Sequence, residues 1–114
     1  MQIIKVKPEL RPHIGKRREI NLKETPLQKA EALQISELRP DRKEEYHTNN
    51  VGYVLCFVVS GWMEAYCQGK NYKLKEGEGI VFEPGERHRI NKGKGLMFSI
   101  SSLDYADLKT AWEK

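Results

Sequence analysis

Between residues 50 and 100 the chain alternates short apolar runs with turn residues, and this is its clearest pattern. Val51–Val59 is almost continuously apolar and rich in β-branched and aromatic side chains, which predicts a strand covered on both faces. Ser60–Gly61 interrupts it. Trp62–Cys67 then alternates, with Met63, Ala65 and Cys67 on one face and Trp62, Glu64 and Tyr66 on the other. Gln68–Gly69 suits a two-residue hairpin turn, because glycine accepts positive φ, and Asn71–Lys75 returns as the partner strand. Ile80–Phe82, His88–Ile90 and Leu96–Ile100 are predicted as further short strands, the last two flanking a loop at Asn91–Gly95. Glu83-Pro84-Gly85-Glu86 places Pro and Gly where a type II turn wants them. Upstream, Gln2–Val6 reads as a short strand and Leu33–Leu38 as a half-buried one ended by Pro40. Strands this short, at this spacing, predict an all-β sandwich or barrel.

The tail reads differently. Ser101-x-x-Asp104 can cap a helix, and Tyr105, Leu108 and Trp112 then fall on one face of it, which predicts a short helix over about 102–113. Its apolar stripe would pack on the barrel or on a second subunit. Residues 1–32, punctuated by Pro8, Pro12 and Pro26, show no clear period and read as an arm that adds strands or exchanges with a partner. The expectation is one domain over 1–114: arm 1–32, barrel core about 33–100, then the helix.

Composition narrows the function classes. A chain of 114 residues can bury a core without disulfides. Twenty Lys+Arg against sixteen Asp+Glu leave a net charge of +4, and Lys16–Arg18 is the densest basic cluster, so a nucleic-acid partner is not expected. No apolar run is long enough to span a membrane. Cys56 and Cys67 lie in apolar strands without CxxC spacing, and the N-terminus carries no secretory pattern; both point to a reducing, cytoplasmic setting.

The segment Gly77–His88 carries a family resemblance. Gly77, Pro84, Gly85 and His88 match the second signature motif of the cupin superfamily, while Glu83 stands where the motif has its first proline and Asn91 comes one residue early. Gly61 resembles the glycine that ends the first motif, and the residues Trp62–Glu76 between the two match the short microbial spacing. The resemblance implies a double-stranded β-helix, or jelly-roll barrel, with a pocket inside it. It also implies where metal ligands should stand: a histidine pair near His47 and Asn49, a carboxylate at Val54 and a histidine at His88. This chain keeps two of those four, His47 and His88.

Such a site would hold Fe, Mn, Ni or Zn, and here it would need Asn49 or Cys56 to complete it; two imidazoles and an amide make a poor first-row metal site. His13, the third histidine, lies in the arm between Pro12 and Ile14. The leading expectation is therefore a stand-alone cupin that binds a small polar ligand, of sugar or carboxylate type, through His47, Asn49, His88, Tyr53 and Tyr66. The alternative is a divalent-metal enzyme of isomerase or dioxygenase type, and a third reading is metal-free acid–base catalysis pairing a pocket histidine with Tyr53 or Tyr66. Cupins commonly form homodimers, and Trp112 with Leu108 would suit such a surface.

Overall fold

The computed structural model describes residues 1–41 and 44–113. In chain order these form β1 (Gln2–Lys5), β2 (Glu9–Arg11), β3 (Gly15–Arg17), β4 (Ala32–Leu38), β5 (His47–Asn49), β6 (Val54–Cys67), β7 (Lys70–Lys75), β8 (Glu78–Phe82), β9 (Arg87–Ser101) and β10 (Thr110–Trp112), with two short 3-10 turns at Leu22–Glu24 and Tyr105–Asp107.

Two long strands organise everything else. β6 and β9 pair antiparallel along nearly their full lengths, from Val54 opposite Ser101 to Cys67 opposite His88. The first half of β6 pairs with β8, which pairs in turn with β1, and the second half of β9 pairs with β4. The second half of β6 pairs with β7, while the start of β9 pairs with β5, which carries β10. One antiparallel sheet thus curls into two facing halves, and β2–β3 stand apart as a small hairpin.

The curl is made where the sequence suggested two breaks. Ser60–Gly61 does not end the strand, and Asn91–Gly95 is not a loop: both are positions within the long strands. Gly61 (φ +82) lies directly opposite Gly95 (φ +106), next to a β-bulge between Val58 and Ser60. A Cβ on Gly61 would come within 1.7 Å of the Lys94 carbonyl oxygen, and one on Gly95 within 2.2 Å of the Ser60 oxygen. The glycines let the ladder bend sharply without losing its pairing, which is the usual service of a bulge and glycine at a barrel corner.

Inside the curl lies the main core, with Val54, Val58, Met63, Ala65, Leu74, Ile80, Phe82 and Met97 all buried. Of the two faces that alternate in Trp62–Cys67, the one carrying Met63, Ala65 and Cys67 points inward. A second, outer cluster forms where Ile20, Leu22 and Leu27 of the N-terminal arm lie over Leu55, Val81 and Ile100. The Gln68–Gly69 turn has positive φ at both residues, as a type I′ hairpin requires.

The C-terminal helix is not formed. Asp104 caps a single 3-10 turn, its side chain accepting from the Ala106 amide, and Lys109 at φ +51 then redirects the chain. Thr110–Trp112 leaves as β10, pairing with β5. One turn is too short to propagate a helix against that competing ladder. Leu108 is buried in the core and Trp112 stands on a strand, so they do not form the shared helical surface that the spacing predicted.

Gly61→Ala is expected to destabilise the fold by roughly 2 kcal/mol or more, lowering Tm by at least ~5 °C, because backbone must move to admit the methyl. Gly69→Ala, at φ +81 with nothing within 4 Å of the added atom, should lose only about 1 kcal/mol. Thermal melts of the two variants side by side check this, and equal losses would count against the corner.

Candidate functional site

Three neighbouring strands bring the polar residues together. His47 and Asn49 are two apart on β5, so both side chains leave on the same, inward face. His47 sits directly opposite His88 of β9 on one side and opposite Trp112 of β10 on the other; Asn49 sits opposite Thr110. The Pro84–Gly85 turn delivers β9 to this register, anchored by the Gly85 amide donating to the Asn49 carbonyl at 2.9 Å. The result is a row of rings across the sheet. The His47 and His88 centroids are 4.2 Å apart, Trp112 is 4.2 Å from His47, and His88 stacks on Phe82 at 3.9 Å.

These residues line a cavity of about 510 Å³ between the two halves of the curl. Val54 and Cys56 of β6, Gln34 and Ser36 of β4, and Ser99 and Tyr105 form other parts of its wall. The Ser99 and Tyr105 hydroxyls are hydrogen-bonded to each other. Among the described lining residues Glu44 carries the only formal charge, apart from any proton on the histidines.

Both imidazoles are held in one tautomer by the main chain. Nδ1 of His47 donates to the Glu45 carbonyl at 3.1 Å, and Nδ1 of His88 donates to the Glu86 carbonyl at 2.8 Å. Each Nε2 is therefore left as an acceptor. Their surroundings differ. Burial pushes the His88 pKa down to about 4, helped by the nearby His47 and opposed by the Glu86 carbonyl, so its ring is neutral near pH 7. His47 has the Glu44 carboxylate 3.7 Å from its Nδ1, while Glu44 itself accepts from the Ile90 amide at 3.1 Å.

The donors do not fit a metal centre. Asn49 turns its Oδ1 to the Thr110 hydroxyl at 2.7 Å, which leaves its NH₂, a donor, for anything in the cavity. Cys56 does line the cavity beside Val54, but burial, reinforced by the Glu44 charge, pushes its thiol up to about 12. Val54 offers no donor at all. Among the described residues no group of three or more His, Cys, Asp or Glu is placed to hold an ion.

Two expected residues lie elsewhere. Tyr53 packs with the outer cluster on Leu27 and Leu55, and Tyr66 points outward, its ring 6.2 Å from Tyr46 and under the Arg89 guanidinium at 5.0 Å. Tyr53 is one residue before the inward Val54 and Tyr66 one before the inward Cys67, so parity turns both away from the cavity. His13 is exposed in the β2–β3 turn. Trp112 and Thr110 escaped the sequence reading because their segment was taken as helix. Gln34 and Ser36 escaped it because the apolar positions of β4 were expected to face inward. Glu44 had no signal beyond lying three residues before His47.

A model of the cupin domain family matches residues 34–101. No curated protein matches significantly. Among solved structures, the chain resembles WlaRB, a TDP-quinovose 3,4-ketoisomerase from Campylobacter jejuni, with a TM-score of 0.82 and 13% identity, over 98% of this chain and 92% of that one. It resembles QdtA, a 3,4-ketoisomerase from Thermoanaerobacterium thermosaccharolyticum in complex with TDP, with a TM-score of 0.80 and 15% identity, over 96% and 85%. A double-stranded β-helix protein from Klebsiella pneumoniae is similar at a TM-score of 0.60 and 18% identity, over 72% and 73%. At these identities the likeness shows the fold.

The lowered His88 pKa has a consequence for stability. The folded chain resists protonating this ring until about pH 4, whereas the unfolded chain takes the proton near its ordinary 6.5. Between those values the unfolded state binds more protons, so stability is full above pH 6.5 and declines as pH falls through the window, by on the order of 3 kcal/mol. His88→Gln removes this contribution. Melts at pH 7 and pH 4.5 are expected to show a smaller acid loss for the variant than for the wild type, and an identical loss would contradict the assignment.

Proposed function

The chain belongs to the cupin domain family, and from that premise we propose that its cavity binds a small sugar-type ligand and moves a proton on it without a metal ion. The observation that carries this reading is the pair of facing imidazoles, each held with its proton on Nδ1 and its Nε2 free. The ketoisomerase relatives in structure support the ligand class, and the wall supports it too. Gln34, Ser36, Asn49 and Thr110 present hydroxyls and amides suited to a polyol, and the exposed Trp112 ring offers a flat apolar face at the mouth.

The chemistry that fits is the shift of a carbonyl between adjacent carbons of a keto-sugar. His47 takes the proton from the carbon next to the carbonyl at its Nε2; the C–H electron pair becomes a C=C bond, and the carbonyl oxygen gains the charge of an enediolate. The Asn49 NH₂ donates to that oxygen. The Glu44 carboxylate faces the positive charge that His47 acquires, in the manner of the acidic partner in a His–acid pair. Proton transfer from the neighbouring hydroxyl to the enediolate oxygen, and return of the His47 proton to the other carbon, completes the isomerisation with atoms and electrons balanced. His88, neutral and buried, accepts from a sugar hydroxyl and fixes the ring's orientation.

The lining also supports a position for the nucleotide of such a ligand. Its one described carboxylate repels a diphosphate, so a TDP-sugar would place its pyranose in the cavity and its phosphates outside. The free, buried cysteines suit a reducing compartment such as the cytoplasm. No helix among the described residues is long and apolar enough to cross a membrane.

TDP-4-keto-6-deoxyglucose, found with a QdtA variant, is the first probe to use. In D₂O the wild type is expected to bind it and to place deuterium on the carbon beside the carbonyl, read by NMR, equally well after dialysis against EDTA. His47→Gln should slow exchange by roughly 100-fold or more. Trp112→Ala should weaken binding about tenfold while leaving exchange at saturation within a few-fold. Binding without exchange would leave a binding protein and end the acid–base reading. Loss of exchange on chelation would restore the metal, and failure to bind either this probe or a free keto-hexose would end the sugar reading.

A further inference from the structure

The carbonyl shift described for the cavity leaves one proton without a carrier. Once His47 has taken the carbon-bound proton, the charge sits on the former carbonyl oxygen and must pass to the oxygen of the neighbouring hydroxyl. Direct transfer between those two oxygens is geometrically poor. They lie on adjacent carbons of a rigid C=C bond, so the O–H···O angle between them is bent far below the linear optimum. A carrier that reaches both oxygens from outside straightens the path.

The wall that faces the histidines offers such a carrier. β9 bends at Gly95, so His88 lies in one half of the curl and Ser99 in the other. Ser99, buried, stands between Gln34 of β4 and Cys56 of β6, its partners across the ladder, and all three line the cavity. The chain then leaves β9 and crosses toward β10. On the way its 3-10 turn sets Tyr105 against Ser99, hydroxyl to hydroxyl. Side chains fasten that turn: Ser101 accepts from the Leu103 amide at 3.3 Å, Glu31 from the Asp104 amide at 3.2 Å, and Asp104 from the Ala106 amide at 3.0 Å. Leu108, buried in the core, anchors its far end.

Two bonded hydroxyls conduct in either direction. Their shared bond uses one proton and one lone pair, which leaves one proton and further lone pairs at the outer ends. Either oxygen can be the donor of that bond. Burial raises the Tyr105 pKa against the opposing pull of the Ser99 hydrogen bond, so the phenol keeps its proton near pH 7.

We propose that Ser99 and Tyr105 are a catalytic pair that carries this second proton between the two sugar oxygens. The proposal rests on the keto-sugar reading above and deepens it. The Tyr105 hydroxyl gives its proton to the oxygen that was the carbonyl, Ser99 gives its own to the Tyr105 oxygen, and the neighbouring sugar hydroxyl gives its proton to Ser99. The electron pair left on that sugar oxygen forms the new C=O bond. The C=C pair then takes the proton held on His47 Nε2, at the other carbon. Both residues end neutral, with their shared hydrogen bond reversed, and rotation of the two O–H bonds resets it.

Tyr105→Phe removes the hydroxyl and keeps the ring, so its thermal melt should stay close to that of the wild type. With TDP-4-keto-6-deoxyglucose in D₂O, NMR of one sample reads two events. Deuterium entering the carbon beside the carbonyl reports the His47 step, and the isomer with its carbonyl moved one carbon along reports the relay as well. For Tyr105→Phe the isomer is expected to form about 100-fold or more slowly, while deuterium entry slows only a few-fold. Ser99→Ala should show the same split with a smaller loss, about tenfold, because a water can stand in for the lost hydroxyl. Isomer formed by Tyr105→Phe at the wild-type rate would overturn the relay. Equal losses of isomer and of exchange would overturn it too, and would make Tyr105 a positioning residue. A wild type that exchanges deuterium but yields no isomer would remove the relay and leave the His47 step standing. A wild type with no exchange would instead strike the keto-sugar reading itself, and the relay with it.

Discussion

Everything in this protein hangs on the β6–β9 ladder and on its ability to bend without breaking. The two strands pair with each other along nearly their full lengths, yet they belong to both halves of the barrel. Only the opposed Gly61 and Gly95, with the neighbouring bulge, make that possible, because any Cβ there would strike the facing backbone. Straight strands would leave a flat sheet with its apolar face in water. The bend turns that face inward, sets β5 beside the start of β9, and so brings His47 to His88. Corner and site are one construction.

The same constraint explains what the sequence could and could not disclose. Val54–Val58 and Met63–Cys67 declared themselves as strands through apolar content and period, while which alternating face turns inward is settled only by the curl of the sheet. The motif around Gly85 and His88 located the turn and the second histidine. The glycines at 61 and 95 were misread as chain breaks because a positive-φ glycine looks alike in a turn and in a bent strand; only the partner across the ladder tells them apart. Tyr105, Leu108 and Trp112 have helical spacing by coincidence, and the ladder offered by β5 outweighs a three-residue turn. Trp112 consequently moved from a proposed surface to the mouth of the cavity.

The cavity's chemistry was half legible. His47, Asn49 and His88 were named from their motif positions, and they do converge. What could not be read was the polarity of each atom. Asn49 had been weighed as an oxygen donor to a metal, whereas its oxygen is satisfied by Thr110 and its amide hydrogens face the cavity. Cys56 had been weighed as a thiolate, whereas burial and Glu44 keep it a thiol. Val54 takes away the carboxylate that a cupin metal site would use. Two imidazole nitrogens, one amide donor and a neighbouring carboxylate make a set better matched to proton movement than to coordination.

The partners that fix the two rings are main-chain carbonyls, those of Glu45 and Glu86. Every amino acid has the same carbonyl, so the side chains at positions 45 and 86 are free to drift without altering which nitrogen carries the proton. Tautomer control of this kind leaves no trace in an alignment. It is inherited through the path of the backbone, and two relatives could keep the same proton chemistry with nothing in common at the positions that enforce it.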